Sequence, residues 1–150
     1  MFWNLGSILG VCLIFQIVSG ILLSLHFVPS MEAFMNVDFI SREVNNGWLI
    51  RYFHANGASV FFFLIYIHIL RGIFFKRYKL RKVWSVGVII FLITILVAFL
   101  GYVLPWGQIR FWAATVITNL VRAVPFFGQL AVEWLWGGFG VSTVTLNRFY

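Results

Sequence analysis

Three long apolar stretches decide what this chain can fold into. Residues 5–28 and 83–104 hold no Lys, Arg, Asp or Glu, and residues 48–75 hold none between Tyr52 and Leu70. About twenty apolar residues cross the hydrocarbon core of a bilayer. Inside that core every backbone polar group must be satisfied within the segment, which for isolated stretches of this length means a helix. Pro29 and Ser30 close the first stretch and Pro105 closes the third. The first has no basic leader before it and is long enough to span, so it reads as a retained helix with Ser7, Gln16, Ser19, Ser24 and His26 as its polar members.

Composition agrees. The chain is 62% hydrophobic and only 10% charged, against about 25% charged in a soluble domain. Its 150 residues allow a few spans and their loops, and one domain is expected. The expected fold is an all-α membrane protein. The single Cys12 lies in an apolar run and carries no information on redox compartment. The 18 phenylalanines fit a T-rich gene, as many mitochondrial genes are.

The net charge of +7 is a topology signal. Arg71, Lys76, Arg77, Lys79, Arg81 and Lys82 stand together at the edges of two spans with no acid among them. They cover no soluble face, so no nucleic-acid partner is expected. The preceding loop, 29–47, sets Glu32, Asp38 and Glu43 against Arg42, a net −2. The positive-inside rule places the basic loop and the N-terminus inside, and the 29–47 loop outside. The stretch after Pro105 then begins outside. Residues 106–140 are interrupted by Arg110, Arg122 and Glu133, broken at Pro125 and Gly128, and rich in Trp and Phe. Helices lying in the membrane interface are the expected form. Residues 143–150 read as the beginning of another helix.

The second span carries His54 and His68, fourteen residues apart, each with an arginine three residues to its outer side, Arg51 and Arg71. Fourteen residues of helix advance about 1400°, short of four turns by about 40°, and rise about 21 Å. The two imidazoles therefore face nearly one way at two depths. A histidine inside a membrane span is costly and is buried or functional. Either residue alone would read as a hydrogen-bonded interior histidine. As a pair on one face they fit axial ligation of two haem irons. They are too far apart to share one zinc ion, and no Cys, Asp or Glu joins them in that span. Arg51 and Arg71 fit two readings equally, snorkelling to headgroups or pairing with haem propionates.

The same interval recurs on the neighbouring spans, between Gly6 and Gly20 and between Gly87 and Gly101. Glycine admits close approach of another surface, here either a flat macrocycle or a packed helix, as Gly6-x3-Gly10 also allows. Gln16, Tyr102 and Trp84 are polar-tipped residues that would bond a propionate or satisfy a neighbour. The four acids all lie outside the spans, and no hydrolase triad, phosphate loop or carboxylate pair is present.

These residues resemble a known family. The runs Trp3-Asn4-Leu5-Gly6-Ser7, Arg51-Tyr52-Phe53-His54-Ala55-Asn56-Gly57, Gly101-Tyr102-Val103-Leu104-Pro105-Trp106-Gly107-Gln108 and Glu133-Trp134-Leu135-Trp136-Gly137-Gly138 are similar to the N-terminal part of mitochondrial cytochrome b. That family forms the haem-bearing core of the cytochrome bc complex, respiratory complex III. The resemblance covers essentially the whole chain. It implies two haem b groups, each with one axial ligand from this chain, His54 on the outer low-potential haem and His68 on the inner high-potential one. It implies that Gly20 and Gly101 pack on the first and Gly6 and Gly87 on the second. Arg51 would meet propionates of the outer haem, and Arg71 with Trp84 those of the inner haem; Gln16 joins the cofactor-contacting set. Ala113 and Ile117 would border the outer quinol pocket, and Asn4 and Ser7 the inner quinone site.

Ubiquinol and ubiquinone are the implied substrates. The implied partners are the iron–sulfur protein, a cytochrome c1-type subunit, the remainder of cytochrome b, a second copy in a homodimeric complex, and the bilayer. The implied location is the mitochondrial inner membrane, with a bacterial plasma membrane as the alternative.

Two departures stand out. The family's opposing ligand histidines would follow a stretch like Asn147-Arg148-Phe149-Tyr150, so the expectation is a partial sequence or one piece of a split protein, truncated before the fourth helix. The family also has glycine where this chain has Ala113, and it associates alanine there with tolerance of strobilurin-type inhibitors. Arg110 is unexpected beside it. Two rivals remain, a non-redox helical scaffold and a diheme anchor of a dehydrogenase. The second does not explain the Pro105-Trp106-Gly107-Gln108 run.

Overall fold

The computed structural model of the protein describes residues 3–150. The described residues are helical and contain no strand. In chain order the helices are α1 (Leu5–Ser24), α2 (Ala33–Arg42), α3 (Gly47–Phe74), α4 (Arg81–Val103), α5 (Gln108–Arg122), α6 (Gly128–Trp136) and α7 (Thr143–Phe149), with a 3₁₀ turn at Arg77–Lys79. Helices α1, α3 and α4 are long and apolar enough to cross a membrane, with peak mean hydropathies of 2.3, 1.8 and 2.8. The all-α, three-span expectation is borne out.

The spans turn apolar side chains outward. Val11, Ile14, Ile17 and Ile21 on α1, and Val86, Ile89, Ile93 and Val97 on α4, are all exposed. In water such surfaces would be unstable; in a bilayer they face lipid tails. Helix α3 has 28 residues, about 42 Å at 1.5 Å per residue and longer than the hydrocarbon core of about 30 Å. Arg51 and Arg71 are separated by about 30 Å of helix, so each stands near one edge of the core with a histidine one turn inside it.

The helix ends differ from the expected limits in ways that have local causes. Helix α1 stops at Ser24 rather than near residue 28. There the N–H groups of Leu25 and His26 fold back onto the carbonyls of Ile21 and Leu23 and tighten the last turn. The segment 29–47, read from sequence as a loop outside the membrane, contains α2. Ala33, Val37 and Ile40 recur at helical spacing, and Ala33 and Ile40 are buried. The turn from α2 into α3 is sharp: Asn46 adopts φ 57°. A Cβ on Gly47 would run into the Ile40 carbonyl oxygen, so only glycine allows this approach.

Two compact units can be distinguished. One comprises Met1–His26 with Ile40–Ile95, the other Phe27–Phe39 with Leu96–Tyr150. In the first, α1 and α3 pack antiparallel along their length.

In the second, Val103, Ala114 and Phe149 form a buried cluster bordered by Phe99, Leu100, Leu104, Trp106 and Leu135. A polar chain crosses the interior of this unit. Thr118 donates to the Ala114 carbonyl at 2.6 Å. Trp136 Nε1 donates to Thr118 Oγ1 at 2.9 Å. Thr145 donates to the Trp136 carbonyl at 2.9 Å and accepts from the Ser142 N–H at 3.0 Å. The Arg122 guanidinium lies over the Trp136 ring at 4.6 Å. Helix α6 ends at Gly137 with φ 75°, a left-handed C-terminal residue for which glycine has no penalty.

Candidate functional site

The α1–α3 packing sets glycine against histidine twice. A Cβ built on Gly20 would lie 3.2 Å from His54 Cε1, and one built on Gly6 would lie 3.9 Å from His68 Cε1. Moving fourteen residues back along α1 moves the partner fourteen residues forward along α3. Because the helices are antiparallel, both couples fall in one register. The interval common to the glycines and the histidines is thus a single packing relationship used at two depths.

The surroundings of the two rings differ. The His54 ring is half-buried and its Nδ1 lies 2.8 Å from Ser19 Oγ. Ser19 is itself buried and reaches the carbonyls of Phe15 at 2.8 Å and Gln16 at 3.2 Å. The Gln16 amide inserts beside the same turn of α3. With its nitrogen toward α3 it donates to the His54 carbonyl at 3.1 Å, while its oxygen accepts from the Ala58 N–H at 3.1 Å. The nitrogen also stands 3.3 Å from His54 Nδ1. A side chain at Gly57 would collide with the Gln16 amide, so Gly57 is what lets Gln16 reach the α3 backbone. His68 is more exposed. One residue before Gly6, where Ser19 stands before Gly20, the chain has Leu5.

The arginines have protein contacts. Arg51 Nη1 donates to Ser41 Oγ at 2.9 Å, and its guanidinium lies 5.9 Å from the Tyr52 ring centroid. Next to Arg71, Gly72 is covered by the Trp84 indole, 3.1 Å from where a Cβ would stand. Trp84 also meets Tyr78 edge-on at 6.4 Å. The structure therefore groups Arg71, Trp84 and Gly72 at the basic end of α3, and Arg51 with Ser41 at the opposite end. Methyl groups on Gly87 or Gly101 would meet nothing within 4 Å.

Asn4 precedes the first turn of α1, and both Asn4 and Ser7 are exposed. Ala113 and Ile117 are one turn apart on α5, Ala113 half-buried and Ile117 exposed. Arg110, unexplained by sequence, hooks back from the first turn of α5 to donate to the Pro105 carbonyl at 2.8 Å. It also covers the Tyr102 ring at 5.3 Å. Ser19 was not singled out from sequence as a site residue. The available signal was its place beside Gly20, at the glycine–histidine interval.

No three His, Cys, Asp or Glu side chains converge among the described residues. His54 and His68 stand as two separate imidazoles, each against a glycine of α1. The chain matches the family described as Cytochrome b/b6/petB over residues 1–150. It is 57% identical over 149 residues to a curated protein named Cytochrome b from Bugula neritina, covering 99% of this chain and 40% of that protein. The chain thus spans about two-fifths of that relative's length. With this match along its whole length, and with the two glycine-seated histidines the motifs pointed to, the chain belongs to the cytochrome b family.

Proposed function

We propose that this chain is the N-terminal part of the diheme subunit of a ubiquinol–cytochrome c oxidoreductase, seated in the mitochondrial inner membrane. The observation that carries the proposal is the repeated glycine–histidine couple of α1 and α3. A planar macrocycle needs an imidazole donor beside a helix surface free of side chains, and the chain provides that pairing at two depths. Haem supplies one-electron chemistry when bound, linking quinol oxidation at the outer side to quinone reduction at the inner side.

The chain's own residues bind and orient. His54 and His68 would each hold one haem group through a ring nitrogen, with further ligands coming from outside this chain. Gly20 and Gly101 leave room at the outer group, and Gly6 and Gly87 at the inner one. Arg51 at one edge, and Arg71 with Trp84 at the other, stand where propionates would need cationic or N–H partners. Gln16 holds the α3 turn that carries His54. On this reading Ala113 and Ile117 line the outer quinol pocket on α5, Asn4 and Ser7 lie near the inner quinone site, and the α5–α6 surface faces the iron–sulfur and cytochrome c1-type partners of a dimeric complex.

The test is a pair of substitutions in the full-length protein in its own membrane. His54→Ala should remove one of two b-type α-band components from the reduced-minus-oxidised spectrum, and His68→Ala the other. Two intact components in either variant would refute the assignment of that histidine.

A further inference from the structure

The strongest unassigned feature of the site is the buried hydroxyl of Ser19. It has a single proton. Two acceptor-only carbonyls of its own helix, those of Phe15 and Gln16, lie at 2.8 and 3.2 Å. A serine inside a helix gives its proton to the carbonyl one turn back. The oxygen lone pair then faces His54 Nδ1 at 2.8 Å, an arrangement that calls for the tautomer in which that nitrogen carries the proton and donates it. The Gln16 nitrogen, at 3.3 Å from Nδ1, is the longer contact, and it has the His54 carbonyl at 3.1 Å as its acceptor. With Nδ1 protonated, the lone pair of the ring is on Nε2, the nitrogen directed away from Ser19.

We infer that Ser19 is a positioning residue for the outer haem: it fixes the tautomer and ring orientation of His54 so that Nε2 is the iron donor, and by accepting the Nδ1 proton it strengthens that donor. The inference rests on His54 being a ligand. Partners that accept from the second nitrogen of a metal-bound histidine set its tautomer and raise its basicity. A more basic axial donor favours the ferric state and lowers the reduction potential. At the inner histidine the equivalent position of α1 is Leu5, which is buried and apolar and accepts nothing. The two imidazoles, seated in one register, are therefore tuned differently, and the difference lowers the potential of the outer haem alone.

The test uses the complete protein in its membrane complex, with Ser19→Ala, Ser19→Cys and Ser19→Thr. The readouts are a potentiometric titration of each haem and the low-spin ferric electron paramagnetic resonance spectrum. Ser19→Ala should raise the outer potential and shift its largest g value, with the inner haem unmoved. Ser19→Cys, nearly the same size but a weak acceptor, should shift both in the same direction, and Ser19→Thr should restore the parent values. An outer haem with unchanged potential and g value in the Ala variant overturns the inference. If the Ala variant loses that haem, the Cys variant decides: an upward shift supports the role and no shift overturns it. Haem retained in His54→Ala would instead remove the ligand assignment itself, a result separable from any Ser19 outcome.

Discussion

At the scale of single residues, tolerance is set by how close each side chain of α1 comes to α3. A methyl on Gly20 would press on the His54 ring at 3.2 Å, tighter than ordinary van der Waals contact, whereas one on Gly6 would sit 3.9 Å from the His68 ring. Rings held in a packed interior do not yield freely. Under the proposed haem assignment, Gly20→Ala should therefore lower outer-haem occupancy severalfold, and Gly6→Ala should leave the inner haem nearly full; pyridine haemochrome content per complex measures both. Equal losses would mean that the spacing seen at the two rings does not govern occupancy. Much of this was legible beforehand. The interval shared by the glycines and the histidines is a property of the letters alone, and helical geometry converts it into two depths. The partners of the His54 ring were not legible. Which of four polar residues on α1 faces α3 depends on the rotation of one helix against the other, and no count along the chain supplies that rotation.

At the scale of elements, α5 and α6 are held by side-chain bonds in addition to apolar burial. Thr118 and Trp136 are both nearly inaccessible, and the indole N–H has Thr118 Oγ1 as its acceptor. Replacing the hydroxyl with a methyl of similar size leaves a buried donor unsatisfied, at a cost of about 1–3 kcal/mol. Thr118→Val should lower the thermal midpoint of the complex while Thr118→Ser retains it, as monitored by tryptophan emission; a Val variant as stable as the parent would show that the bond contributes little. The sequence marked these helices by their aromatic content and by the breaks at Pro125 and Gly128. It did not mark α2, whose ten residues are too short for periodicity to stand out. Arg110 was opaque for a similar reason: its acceptor is a backbone carbonyl, that of Pro105, and carbonyls leave no trace in residue identity.

At the scale of the molecule, charge asymmetry fixes sidedness. The turn between α3 and α4 and the first two residues of α4 carry Lys76, Arg77, Lys79, Arg81 and Lys82, and the segment between α1 and α3 is net acidic. The bias in basic residues orients the spans. A cysteine placed at Lys79 should react with a membrane-impermeant maleimide only from the inner side, and one at Ser30 only from the outer side; labelling of both from one side would contradict the three-span topology. The antiparallel seat of α1 on α3 has a further consequence, for how this segment can change over time. A residue inserted between Gly6 and Gly20 would rotate one end of α1 by about 100° relative to the other. One glycine would keep its histidine only if the other lost its own. Substitutions along this stretch can be absorbed one by one, but its length cannot drift, because two sites measure it from opposite ends.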